Sequence, residues 1–315
     1  MKLRNIALLS LLAILSACGS DEPTPPEPTP PTPVEPVIST AEIDVIDYSP
    51  APGQFINELP PYVEGNTAAD MTAKADNYLK TGNMVCLGSW GGNITIRLKQ
   101  PITRVEGKPS FRVLGNAFYS DGSTTTPKYG SSEPGVILVM TDKNGNGLPD
   151  DGEWLEIAGS ETANSKSPYT VTYTRPDIEP EDLDVEEYIA WSATNGDHGY
   201  IPKNQYHVQT YYPKWVAAKT LTFTGRRLPD NGRQDEETGY YELRCFDYGY
   251  ADAHPNTVDE SLIYLDWAVD SKGQKVAVDK IDFIKIYTGV LQVNGWLGEC
   301  STEVSGIQRV DYVKK

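Results

Sequence analysis

The chain has 315 residues and a formal net charge of −17, with 44 acidic residues against 27 basic ones. A surface this acidic is a poor partner for nucleic acid and for anionic lipid, because both attract positive charge. The 39% hydrophobic content is that of a globular protein, and the length is sufficient for one large β domain or two smaller ones.

The N-terminus predicts export and lipid attachment. Lys2 and Arg4 precede an apolar run at residues 6–15, which has the length of a signal-peptide core and is too short to span a bilayer. The segment Leu15-Ser16-Ala17-Cys18 resembles the lipobox of bacterial lipoproteins. That resemblance implies cleavage before Cys18 and an anchor through its acylated side chain and amine. An ordinary secretory cleavage site at the same junction is the alternative.

The residues after Cys18 favour a position outside the cell. Gly19-Ser20-Asp21-Glu22 resembles the export signal of Bacteroidetes lipoproteins that face outward from the outer membrane. Residues 23–36 are rich in proline and threonine, which predicts a semi-rigid spacer of about 40 Å. We therefore predict a signal peptide at 1–17, the lipidated Cys18 with a linker at 18–40, and a ligand-binding domain at 41–315. The membrane is contacted through the lipid anchor only.

One short helix is predicted in the folded region. Thr67 is a candidate N-cap with Asp70 three residues later, and Gly82 ends the pattern. The apolar residues on one face of this helix are Met71, Ala75, Tyr78 and Leu79.

The rest of the folded region predicts strands. Eleven segments with alternating or β-branched residues are separated by turn residues at short intervals. This pattern indicates an all-β fold, a β-sandwich or jelly roll with one covering helix. No repeat of about 20 to 50 residues is visible, which argues against a propeller.

The segment from Asp142 to Glu153, DKNGNGLPDDGE, matches the calcium-loop pattern D-x-[DN]-x-[DN]-G-x5-E. Calcium is a hard cation that takes six to eight oxygen ligands, and Gly147 allows the sharp turn of such a loop. The predicted ligands are Asp142, Asn144, Asn146, the carbonyl of Leu148, Asp150 and Glu153. Its flanks resemble strands, so an EF-hand-like loop in a β-hairpin is expected. A polar turn without an ion is the alternative.

Aromatic side chains and histidines are concentrated in residues 188–215, with smaller clusters at 246–255 and 294–299. Tyr and Trp offer apolar faces with a polar group, which suits a sugar ring or a corrin plane. The candidate ligand-binding residues are Tyr188, Trp191, His198, Tyr200, Tyr206, His207, Tyr211, Tyr212, Trp215, Tyr248, Tyr250, His254 and Trp296. The alternative is that about half of these rings are core. The spacing of the histidines matches no zinc motif.

Several strings carry a resemblance to a family over most of the folded region. They include Gly53–Pro60, Val113–Phe118, Gln209–Pro213, Asp247–Asp252, Asp266–Asp270 and Gly295–Glu299. With the calcium loop, these strings are similar to a family of Bacteroidetes cell-surface lipoproteins of the PKD-like type. Some members are associated with TonB-dependent transporters, including those for cobamides. The resemblance implies non-catalytic capture of a small ligand, with a cobamide as the best candidate.

Two other functions remain open. The first is a glycan-binding protein or glycoside hydrolase, for which two carboxylates about 5 to 9 Å apart are needed. The acids considered for this role are Glu133, Asp197, Asp247, Asp252 and Glu299. The absence of nucleophile-elbow, HExxH and P-loop motifs argues against catalysis. The second is an adhesin or assembly partner whose exposed Tyr and Trp residues contact another surface protein.

The three cysteines after Cys18 leave two alternatives. Cys86, Cys245 and Cys300 permit one disulfide with a free thiol, or three buried thiols. Their spacing contains no CxxC motif, so the sequence does not choose between the two.

Overall fold

The structure is a computed structural model that describes residues 34–120 and 126–314. The predicted signal peptide, Cys18 and most of the proline-rich tract lie outside the described residues. Of the helices within these ranges, none has the length and apolar character needed to cross a bilayer.

Strands make up 41% of the structure. Within the described ranges one α-helix is present, α1 (Ala68–Lys80). The strands are β1 (Val34–Thr40), β2 (Ile43–Ser49), β3 (Val85–Cys86), β4 (Asn93–Thr103), β5 (Phe111–Leu114), β6 (Phe118–Tyr119), β7 (Tyr129–Ser131), β8 (Gly135–Met140), β9 (Leu155–Ile157), β10 (Lys166–Thr174), β11 (Val185–Ala193), β12 (His198–Lys203), β13 (Thr220–Arg227), β14 (Gly232–Gln234), β15 (Tyr241–Arg244), β16 (Ala268–Val269), β17 (Lys280–Thr288), β18 (Glu303–Val304) and β19 (Gly306–Lys314).

The all-β prediction agrees with the structure, but the predicted sandwich or jelly roll is wrong. The strands form four sheets of three or more strands, organised as a four-bladed β-propeller. Their strand orders are β1-β19-β5, β12-β11-β10-β13, β14-β15-β7-β6 and β16-β9-β8-β17-β4-β2. A short pairing of β18 with β3 completes the described strands.

The composition of these sheets explains why no repeat is visible in the sequence. The central strand β17 pairs with β4 on one side and with β8 on the other, and all three belong to different parts of the chain. Likewise, β1 pairs with β19 along its whole length, which joins the two ends of the described chain. A sequence period arises only when each blade is one continuous segment, and here strands distant in sequence share a sheet.

The predicted helix is confirmed. Thr67 Oγ1 accepts a hydrogen bond from the backbone N–H of Asp70, and Asp70 Oδ2 accepts one from the N–H of Thr67, at 3.3 and 2.8 Å. This reciprocal pair satisfies two N–H groups that the first turn leaves without helical partners. The buried face contains Met71, Ala75 and Leu79, which pack into the largest hydrophobic core.

The interior is divided among three hydrophobic clusters. The largest lies between α1 and the six-stranded sheet, where alternate residues such as Ile94, Ile284 and Ile286 are fully buried. The second surrounds Trp90 beside β10 and β11, and the third contains Cys300. Cys86, Cys245 and Cys300 are buried free thiols, so the alternative without a disulfide is the one observed.

Candidate functional site

The predicted calcium loop connects β8 and β9, which pair antiparallel. Asp142 accepts hydrogen bonds from the N–H groups of Gly145 and Gly147, at 2.6 and 2.9 Å. These bonds hold the pKa of the Asp142 carboxyl below its usual range, and the bond from Gly147 has the largest effect. Asn144 and Asn146 both donate to the carboxylate of Asp150. Four of the predicted ligands therefore already contact one another or the loop backbone.

The last predicted ligand points elsewhere. Glu153 Oε1 accepts a hydrogen bond from the N–H of Ser271 at 2.7 Å, which ties the loop to a neighbouring turn. The oxygen-only donor set fits a hard cation, and Glu153 would have to give up its bond to Ser271 to join that set. Leu148 exposes its side chain, as expected of a residue that would contribute only its carbonyl. Calcium at this loop stays a prediction.

Five of the candidate aromatic and histidine residues are buried packing residues. They are Tyr188, Tyr211, Tyr212, Tyr250 and His254. The rings of Tyr188 and Tyr211 meet edge to face at 5.2 Å, and the hydroxyl of Tyr188 donates to Glu179. His254 bonds to the hydroxyl of Tyr119 and the carbonyl of Phe246. A ligand cannot reach these rings without unpacking the core, so for them the core alternative agrees with the structure.

Three further candidates lie apart from any shared cavity. Trp215 stacks on the rings of Tyr48 and Tyr62, at 6.1 and 6.3 Å. Tyr248 packs against Trp267, and His198 is exposed at the start of β12. The three histidines therefore do not rim one opening, and in residues 34–120 and 126–314 no metal-ligating group of three contains a histidine.

The five remaining candidates line two cavities that share Glu299. Tyr206, His207 and Trp296 line a cavity of about 270 Å³. Trp191 and Tyr200 line a second cavity of about 340 Å³. We call the first the acidic pocket, after its Glu133, Glu299 and Glu303, and the second the side pocket; together they are the acidic cleft.

Two segments of the chain, around Glu133 and at 299–303, bring the acids of the acidic pocket together. Glu303 belongs to β18, which is held against β3. Glu133 precedes β8, and its N–H donates to the carbonyl of Asp252 at 3.0 Å. Glu299 follows the short 3-10 turn Gly295–Leu297. Gly53 must lack a side chain here, because a Cβ atom would lie 2.5 Å from Glu299 Oε1.

The carboxylates of the pocket are only partly satisfied. Glu299 Oε1 accepts a hydrogen bond from the N–H of Gln54 at 2.6 Å, and Glu303 Oε1 accepts one from Ser301 Oγ at 3.1 Å. The Oε2 atoms of both Glu299 and Glu303 are buried without a partner. Such atoms are uncommon in native proteins, in which a water, an ion or a ligand commonly satisfies them.

In the described ranges no lysine or arginine compensates the charge of this pocket, and burial lowers the pKa of His207, which lines it. No lysine or arginine lines it among the described residues, and no ion pair in that part of the chain involves Glu133, Asp252, Glu299 or Glu303. Burial raises the pKa of Glu299 to about 8. Burial also raises the pKa of Glu133 and of Glu303 and is the largest cause, and the charge of the neighbouring acids raises both further. The pocket therefore takes up protons or another cationic or hydrogen-bond-donating group.

Sequence reasoning found part of this site. Glu133, Asp252 and Glu299 were among the acids considered for hydrolysis, and the structure places them near one another. Asp197 does not line the acidic pocket and instead accepts a hydrogen bond from Tyr169 of β10. Asp247 is exposed. Glu303 was not among the predicted site residues. The sequence feature that could have indicated it is an acid inside one of the eleven strand-like segments, STEVSGIQRVDYV.

A larger groove lies between β13 and β17, with a volume of about 670 Å³. Trp154 and Lys285 line it, as does Asn93, whose buried Oδ1 atom has no partner. Burial lowers the pKa of Lys285. None of the thirteen candidate ligand residues lines this groove, whereas five line the acidic cleft.

The comparisons with known proteins yield no family. No protein-family model matches the chain, and no curated protein matches it in sequence. The geometry of the cleft is therefore the basis for assigning a function.

Proposed function

We propose that this protein captures a carbohydrate in the acidic cleft, as a lipid-anchored component of the bacterial cell surface. One observation carries the proposal: two cavities with aromatic rims meet at Glu299, a buried carboxylate with an unpartnered oxygen. Sugar hydroxyls donate hydrogen bonds to such oxygens, while the apolar faces of sugar rings pack on Trp and Tyr. Trp296 and Tyr206 have the required exposure, at 52% and 69%.

The cavity volumes favour a sugar over a cobamide. Pockets for drug-sized ligands have volumes of roughly 300 to 1,000 Å³, so each cavity of the cleft suits about one sugar ring. A corrin macrocycle is much larger than either cavity. The glycan alternative is thus better supported than the cobamide suggested by the family resemblance. Delivery to a TonB-dependent transporter remains part of the proposal because the family resemblance implies it, while the lipobox and the proline-rich linker support a position at the cell surface.

Glycoside hydrolysis is the second candidate, and the position of Glu299 favours it. A carboxylic acid that stays protonated near neutral pH can donate a proton to a leaving group, and Glu299 lies where two sugar rings would meet. Glu133 on the same pocket surface is the candidate second carboxylate.

A glycan array followed by calorimetry tests the proposal. Trp296→Ala is expected to weaken binding of the best glycan about tenfold or more, which corresponds to about 1.4 kcal/mol. The matched control is Tyr248→Ala, since Tyr248 is another exposed ring outside the cleft. Equal affinities of the two variants, or no glycan bound by the wild type, would contradict the proposal.

A reducing-sugar assay separates capture from hydrolysis. Capture predicts that the bound glycan remains intact with the wild-type protein. Hydrolysis predicts new reducing ends that disappear in Glu299→Gln while binding is retained, because the amide cannot donate a proton as the acid does.

A further inference from the structure

We infer that Glu133, Asp252 and Glu303 form a binding site for a hard divalent cation of about the size of calcium, beside the acidic pocket. One carboxylate oxygen from each residue lies within 4.8 Å of the other two. Calcium–oxygen bonds of about 2.3 to 2.6 Å place opposite ligands about 5 Å apart, so these oxygens can bind one ion together. A ligand set composed only of carboxylates suits hard cations such as calcium, magnesium and manganese.

An unpartnered atom supports this site independently of the acidic cluster. Glu303 is 3% exposed, and its Oε2 atom has no hydrogen-bond partner. A buried ionised carboxylate without compensation is strongly unfavourable, so Glu303 needs either a proton, which it would share with the adjacent carboxyl of Glu133, or a cation. No lysine or arginine among the described residues lines the acidic pocket, and a bound cation would satisfy Glu303 Oε2 there.

The backbone already orients two of the three carboxylates. Glu133 Oε1 accepts the N–H of Ser301 at 2.9 Å. Asp252 Oδ1 accepts the N–H groups of Asn116 and Ala117, at 2.8 and 2.9 Å, and its Oδ2 accepts the N–H of Glu303 at 3.1 Å. Glu133 Oε1 and Asp252 Oδ2 each accept one of these hydrogen bonds and can accept a second interaction, so the bonds orient these ligands and leave them able to bind an ion.

The arrangement includes a backbone conformation suited to a functional site. Asp252 has a φ of 50°, in the left-handed region that residues other than glycine rarely adopt. Glu133 is partly exposed and lines the acidic pocket, which offers an entry path for a hydrated ion. The site is separate from the calcium loop, and it does not depend on carbohydrate binding because the carboxylates alone define it.

Calorimetric titration of the EDTA-treated protein with calcium chloride tests the site, with magnesium chloride as the comparison. The background variant is Asp142→Ala, which removes the first predicted ligand of the calcium loop. We expect this variant to retain one calcium equivalent with weaker magnesium binding, since calcium accepts irregular carboxylate geometry more readily. Adding Glu303→Gln is expected to weaken that binding at least tenfold.

The controls separate loss of the ion from loss of the fold. Glu303→Gln retains an oxygen for Ser301 and removes a buried carboxylate, so its thermal melt in EDTA should lie no lower than that of the background variant. Glu133→Gln provides a second test if Glu303→Gln does not fold. Trp296→Ala is expected to lose glycan without losing calcium, which distinguishes this site from carbohydrate capture. Absence of calcium binding at millimolar concentration in Asp142→Ala, or undiminished binding in both glutamine variants, would overturn the inference.

Discussion

Neutralising Glu299 should stabilise the free protein at neutral and alkaline pH. The side chain is 2% exposed, and burial raises its pKa from 4.5 to about 8. The folded state therefore holds this proton more tightly than the unfolded chain does. The resulting stability is fully present below the unfolded pKa and is lost as the pH rises through the folded pKa.

The size of the effect follows from the two pKa values. Between them, each pH unit removes about 1.4 kcal/mol of stability, so the complete loss approaches about 5 kcal/mol. Glu299→Gln cannot ionise, and its oxygen can still accept the hydrogen bond from Gln54. The stability of the wild type relative to this variant should therefore fall steadily as the pH rises.

Urea unfolding of both proteins at several pH values measures this difference. Between about pH 5.5 and pH 7.5, the free energy of unfolding of the wild type should fall by about 3 kcal/mol relative to the variant. Glu181→Gln is the control, because Glu181 is an exposed carboxylate outside the cleft. A difference between wild type and Glu299→Gln that does not change with pH would refute the reasoning.

Four further substitutions test the loop and the packing. Asp142→Ala should abolish the part of the calcium-induced rise in melting temperature that comes from the loop, and an unchanged rise would argue for a polar turn. Asp44→Asn should cost about 1 kcal/mol in urea unfolding, since Arg97, Lys99 and Lys80 bond to that carboxylate at a partly exposed position. Burial alone would raise the pKa of Asp44, but these bonds hold it well below its usual range. The stability that Asp44 contributes should therefore be lost as the pH falls below about 4. A cost of Asp44→Asn that stays the same in acid would contradict this. Thr67→Ala should cost about 1 kcal/mol through the helix cap, whereas no measurable change would show the capping box to be dispensable. Trp90→Ala should cost about 3 to 5 kcal/mol because the side chain is fully buried, and a cost under about 1 kcal/mol would indicate that the core collapses around the deletion.

Features set by neighbouring residues were predicted well. The capping box of α1 involves residues three positions apart, and the turn glycines of the segment 142–153 are adjacent to the polar side chains that bond to the loop backbone. Strand character was also detectable in β8 and β17, which are largely buried and rich in β-branched residues. The strands β11 and β12 were not predicted, because their side chains do not alternate cleanly between buried and exposed positions.

The candidate site was found only in part, since aromatic composition does not reveal which side a ring faces. Tyr206 and Tyr211 lie five positions apart, yet the first is exposed at the acidic pocket and the second is fully buried. The local sequence around Glu303 does not indicate a binding site, because it shows only an acid within a strand. The candidate cation site forms because distant segments bring Glu133 and Asp252 next to Glu303.

By itself, the amino-acid sequence determined the β-rich character, the single capped helix and the spacing of oxygen ligands in the 142–153 loop, because each depends on contacts within a few residues. Only the tertiary structure decided that distant strands share four sheets, which of the aromatic rings remain exposed, and that four acids meet where no lysine or arginine of the described ranges lines the acidic pocket. The physical reason is that burial and charge compensation depend on what the rest of the chain places around a side chain. At Glu299 and Glu303, that environment leaves a buried oxygen for a ligand or an ion to satisfy.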